Sequence, residues 1–153
     1  MDSNHNTNPY LLVAALACFA AALAHLGIIV GGPDWYRWFG AGEEMAQMAE
    51  QGLWLPALMT LAISLALFFC GLWALSAAGA IHRLPLRRIA LVLIILVFLG
   101  RGTVGALVMS MSDDPYLQEL QQRPLFLLVS STICIAIGVC FLVGLRQRWR
   151  QLD

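Results

Sequence analysis

The sequence contains no lysine, and charged residues fill only 12% of its 153 positions, roughly half the ~25% of a soluble domain. So few charges cannot cover a water-exposed surface. A formal net charge of zero also removes the field that would draw the chain to nucleic acid. The four cysteines, Cys18, Cys70, Cys134 and Cys140, form no C-x-x-C pair and all fall inside apolar stretches. That excludes a disulfide-exchange enzyme working through loop cysteine pairs, and leaves the thiols as small buried hydrophobes. Neither H-E-x-x-H nor G-x-S-x-G occurs, so no catalytic frame is recognisable and the chain reads as non-catalytic. Carboxylates are missing from every apolar stretch. An ion route or a small multidrug exporter needs such groups within the membrane, and both are set aside.

What is present is hydrophobic length. Residues classed as hydrophobic make up 60% of the chain, and the mean hydropathy is +0.77. They gather in four blocks, at about 10–30, 54–81, 89–111 and 125–145, each long enough for the ~20 residues a bilayer crossing needs. The fold class expected is an all-α membrane protein, a single four-transmembrane-helix bundle. Ala22-Leu23-Ala24 resembles a signal-peptidase site, but no Lys or Arg precedes it, so the first block reads as an uncleaved helix. The polar residues before Pro9 read as a solvated tail.

The arginines orient the bundle. The short turn at 82–88 carries Arg83, Arg87 and Arg88, and the C-terminal tail carries Arg146, Arg148 and Arg150. The two longer loops, 31–53 and 112–124, carry only Arg37 and Arg123 against seven acids, a net −5. The positive-inside rule then places the short turn and both termini in the cytoplasm, with the acidic loops outside. This is the topology of a multi-pass protein of a bacterial inner membrane. Short amphipathic interfacial helices are predicted in both outer loops. In the first, Pro33-Asp34 can open one helix, and Glu43-Glu44 can open another whose Met45, Met48 and Ala49 share a face. In the second, Pro115 can take the first helical position before Pro124. Trp35, Tyr36, Trp38 and Phe39 are the aromatics expected at a headgroup boundary.

The intramembrane polar residues are sorted by depth. His25 stands six residues before Gly31, ~9 Å from the outer end of its helix, and Arg101 eight residues before Met109, ~12 Å by the same rise. Thr60, Ser64, Thr103, Ser130, Ser131 and Thr132 also fall in outer halves, while the inner halves hold no ionisable side chain except thiols. Ala14, Ala15, Cys18, Ala21, Ala22 and His25 share one helical face, a small-residue packing face in lipid. Gly105, one turn from Arg101, marks another.

These positions describe a polar cup opening outward. Its expected ligand set is Arg101, His25, Asp34, Glu43, Glu44, Thr60, Ser64 and Ser131, with the guanidinium meeting a small anionic or lipid-like molecule. The plainer alternative pairs Arg101 with a loop carboxylate and lets His25 satisfy a carbonyl. Three further readings stand beside the cup. The first is an accessory, regulatory or immunity-type subunit acting through a larger membrane partner or by self-association. The second is a membrane enzyme using Glu43 or Glu44 with His25. The third is Cu(I) held by Met45, Met48, Met109 and Met111, which as thioethers suit a soft ion but equally serve as adaptable packing. No cofactor is implied, and the partners expected are membrane lipid and another membrane protein.

Overall fold

The computed structural model describes residues 7–108 and 124–152, and every described element is helical. In order they are α1 (Pro9–Gly31), α2 (Pro33–Trp38), α3 (Glu43–Glu50), α4 (Leu55–Ala78), α5 (Arg87–Val108), α6 (Pro124–Arg148) and a closing 3-10 turn at Trp149–Gln151. The helix expected within 112–124 and the end of the third apolar block lie outside the described residues, as do Met109 and Met111.

The breaks between helices follow from local chemistry. Gly32 ends α1 with φ 70°, and Pro33, which has no N–H to lose, starts α2 at once. Gly42 at φ 97° precedes α3, whose first turn holds Glu43 and Glu44. Gly79, left-handed at φ 81°, closes α4 by directing its N–H to Leu75 and Ser76 carbonyls. Arg87 and Arg88 belong to α5 rather than to the preceding turn, and α6 carries the C-terminal arginines as far as Arg148. Arginine is a good helix former, and Arg146 and Arg148 suit the negative end of a helix.

Two antiparallel pairs make the bundle. α1 packs most extensively on α4, and α5 on α6; contacts of α1 with α6 and of α4 with α5 join the pairs. Small residues set the spacing. Ala14, Ala15, Cys18 and Ala22 of α1 are buried, as the shared helical face predicts. Gly71 faces the Phe19 ring, Gly138 faces Leu99 and Gly144 faces Leu11. The main apolar core occupies one half of the bundle: Leu11 to Cys18 of α1, Ala74 to Ala78 of α4, Leu91 to Phe98 of α5 and Ile137 to Leu145 of α6. A separate small cluster of Ile28, Tyr36 and Ala46 joins α1, α2 and α3 at the other end.

The core end is tied by polar contacts as well. Asn8 is not a solvated residue. It is 5% exposed, its Oδ1 accepts from Leu11 N (3.1 Å), and its Nδ2 donates to Gln147 Oε1 (2.7 Å). A side chain that caps α1 and ties it to α6 has little reason to face water. Ser76 donates to His82 O (2.9 Å) and accepts from Leu84 N (2.8 Å), pinning the 82–88 turn. Arg88 lies over the Trp149 ring at 4.8 Å and donates to its carbonyl.

α1, α4 and α6 are each long and apolar enough to cross a membrane. Only 22–28% of their most apolar windows is buried inside the protein, so most of that hydrophobic surface is turned outward. Leu16, Leu23, Leu58, Leu96, Val97 and Leu128 are among the large apolar side chains more than half exposed. Water would oppose a surface of that kind, and lipid suits it.

Candidate functional site

The registers of the helices fix the relative depth of the polar groups. Asn8 N donates to Ala78 O and Ser64 Oγ to Ala22 O (2.9 Å), which aligns α1 with α4 and brings His25 level with Leu61. Gly102 faces Ile135 and Leu99 faces Gly138, so Arg101 is level with Ala136 of α6. Leu11 against Gly144 and Asn8 against Gln147 then bring Ala136 level with Phe19 of α1. His25 is six residues beyond Phe19, so Arg101 and His25 differ in depth by ~9 Å.

Their partners differ too. His25 is half-buried, and its Nδ1 lies 2.7 Å from Ala21 O, one turn back on its own helix. The ring therefore donates from Nδ1, which leaves Nε2 as the acceptor of the neutral tautomer. Arg101 is exposed, on the side of α5 away from the Gly102 contact with Ser131 O and Ile135. It has no hydrogen bond or ion pair among the described residues, and its charge is felt by the Cys134 thiol of α6. Thr103 nearby directs its hydroxyl to Leu99 O (2.8 Å).

The hydroxyls sort into separate helix pairs. Thr60 and Ser64, one turn apart on α4, are 7% and 4% exposed and face α1. Ser131, 8% exposed, sits where α6 meets Gly102 of α5. Neither set meets the guanidinium of Arg101 among the described residues.

The acids of the first loop converge on a residue that the sequence reading passed over. Arg37 Nε donates to Glu43 Oε2 and its Nη2 to Glu43 Oε1, both at 2.8 Å, a bidentate pair. Nη2 also reaches Glu50 Oε1 at 2.8 Å, and Nη1 lies 3.5 Å from Asp34 Oδ1. Its hydrogen bonds to Glu43, then to Glu50, push the guanidinium pKa further above its already high value, so Arg37 stays charged wherever the fold persists. Glu44 is exposed on α3. One arginine among four acids was a legible signal; which acids it would bind depended on the fold of the 40–42 turn.

Tyr36 is the other residue missed. Expected at a headgroup boundary, it is 2% exposed, packed with Ile28 and Ala46, and its hydroxyl is buried without a partner among the described residues. Trp35 and Trp38 on the same short helix are exposed. Met45 packs against this cluster and Met48 is half-buried. Among the described residues no group of three or more His, Cys, Asp or Glu could hold a metal ion. No family model, curated protein or solved structure matches the chain.

Proposed function

We propose that the chain is a non-catalytic accessory subunit of a bacterial inner membrane. It spans the bilayer four times, keeps both termini in the cytoplasm, and acts by lateral contact with a larger membrane protein. The observation that carries this reading is Arg101. Its level, that of Phe19, lies ~15 Å from the Pro9 end of α1 and ~18 Å from the Gly31 end, the middle of a ~30 Å hydrocarbon layer. The side chain is turned outward, with no carboxylate beside it among the described residues. An arginine at the centre of a membrane helix costs about 2.5–3.5 kcal/mol on insertion scales, and such residues almost always meet a partner or water. A three-methylene stem cannot carry its head across half the membrane to the phosphates. Contact with another polypeptide would supply what the described residues do not.

The arginine asymmetry supports the orientation, and α5 is the fourth span with Arg101 its one charge beyond the first turn. Native mass spectrometry after gentle extraction tests the role. A species in which the 16.8 kDa chain remains bound to a second polypeptide is expected. The free chain alone, from extracts that preserve other membrane complexes, would sink the proposal.

A second reading, the outward cup for a small anionic or lipid-like molecule, draws on the buried Tyr36 hydroxyl. A buried donor without a partner costs about 1–3 kcal/mol, and a bound polar group would relieve it. The same spectra distinguish the two: a small-mass adduct that Tyr36→Phe removes belongs to the cup, not to a partner subunit.

A further inference from the structure

We infer that the partner is a transmembrane helix bearing an Asp or Glu at mid-membrane depth, docked along the exposed face of α5 around Arg101. The inference rests on the accessory-subunit reading and specifies the chemistry of its contact. Three observations converge. Ile89, Leu93, Leu96 and Val97 are exposed large hydrophobics at helical spacing, forming a stripe that leads to Arg101. Beside Arg101, a Cβ on Gly100 would meet nothing within 4 Å, so the outward side of α5 has a gap where another backbone can approach closely. Gly102, on the other side, is already used against Ile135 and Ser131 O.

The third observation is charge. A guanidinium held in hydrocarbon calls for an anion, and α1, α4, α5 and α6 contain no Asp or Glu at all. A second copy docked on this face at the same depth would set Arg101 against Arg101, so self-association cannot neutralise it. The first loop's Asp34, Glu43 and Glu50 are engaged by Arg37 at the end of the bundle. Glu44 is exposed on α3, and Asp113, Asp114 and Glu119 lie outside the described residues. Among the described residues, charge complementarity therefore selects a different polypeptide with a membrane-embedded carboxylate, which would accept a bidentate pair from Arg101.

The test replaces Val97, one turn from Arg101, with a photo-crosslinking amino acid in the full chain expressed in its native membrane. The expected result is an adduct with one other membrane protein, joined to a helix whose Asp or Glu lies within a turn of the attachment point. Arg101→Ala should lower that yield about tenfold or more, Arg101→Lys, which keeps the charge but not the paired donors, should lower it less, and neutralising the partner's carboxylate should lower it as much as Arg101→Ala. Arg101 makes no described contact that folding needs, and thermal unfolding in detergent checks that the variants remain folded. An adduct to a second copy, to lipid alone or to a helix without a carboxylate overturns the inference, as does a yield that Arg101→Ala leaves unchanged. The same reagent at Leu16 of α1 and Leu65 of α4 separates the two levels of the argument. Protein adducts there but not at Val97 leave the accessory role standing without this contact; none at any of the three positions removes both.

Discussion

Tyr36 and Arg37 are neighbours on a six-residue helix, and their side chains meet opposite conditions. The phenol is buried with an unsatisfied hydroxyl, whereas the guanidinium, partly exposed, holds Glu43 and Glu50. Removing an unpaired buried hydroxyl while keeping the ring should not harm the fold. Tyr36→Phe is expected to leave stability unchanged or raise it by about 1 kcal/mol, read as the thermal midpoint of the protein in detergent. A loss of comparable size would mean that the hydroxyl has a partner in the membrane, water or ligand, and would favour the cup. Neither assignment was legible in the sequence. In so short a helix no apolar period tells which aromatic turns inward, and Arg37 reaches Glu43 and Glu50 only because Gly40 and Gly42, both at positive φ, fold α3 back over α2.

Helices, by contrast, could be read directly, because each apolar block is long, free of proline beyond its first turn and ended by glycine, proline or charge. The buried face of α1 was readable for the same reason, since Ala14, Ala15, Cys18 and Ala22 recur at helical spacing among larger residues. On α5 the spacing singles out Gly105, one turn from Arg101, as the residue a neighbour approaches, and its surroundings lie outside the described residues. Among the described glycines of α5 it is Gly102 that a neighbouring helix approaches, and Arg101 beside it is exposed. Gly100 and Gly102 make a controlled pair. A Cβ on Gly102 would stand 2.5 Å from Ile135 Cγ1 and 3.1 Å from the Ser131 carbonyl oxygen, and a backbone atom cannot rotate away. Gly102→Ala should therefore cost about 1–3 kcal/mol by forcing α5 from α6. Gly100→Ala, entering open space, should leave the isolated chain at least as stable and weaken only the contact proposed for α5. Unfolding of the two variants side by side in detergent decides this. Equal destabilisation would mean that the two helices do not pack through Gly102.

Across the whole molecule, polarity and packing are graded along the bundle axis. The end with the apolar core also carries Asn8, Arg87, Arg88 and Gln147, bound to one another's segments: Asn8 to Gln147, Arg87 to Gln151 O and Arg88 to Trp149. Gathering basic side chains at that end matches the cytoplasmic face inferred from the arginine count, and the acidic α2–α3 segment lies at the opposite end. Topology is then a single two-valued property that every loop must share. Gln51→Cys and His82→Cys, both at exposed positions of opposite ends, should react oppositely with a membrane-impermeant maleimide on intact cells. Gln51→Cys is expected to be labelled at once, His82→Cys only after permeabilisation, while the native thiols lie within the apolar helices. Labelling of both from outside would mean that α4 does not cross, and the reverse pattern would invert the whole bundle. Because α4 and α5 are joined by so short a turn, the number of crossings between His82 and the C-terminus is even once the C-terminal arginines share the side of His82. A third cysteine, Arg150→Cys, checks that condition: protected like His82→Cys, it leaves α5 and α6 to cross together or not at all, and since α6 is long and apolar enough to span, the paired crossing is the expected one and carries Arg101 into the bilayer.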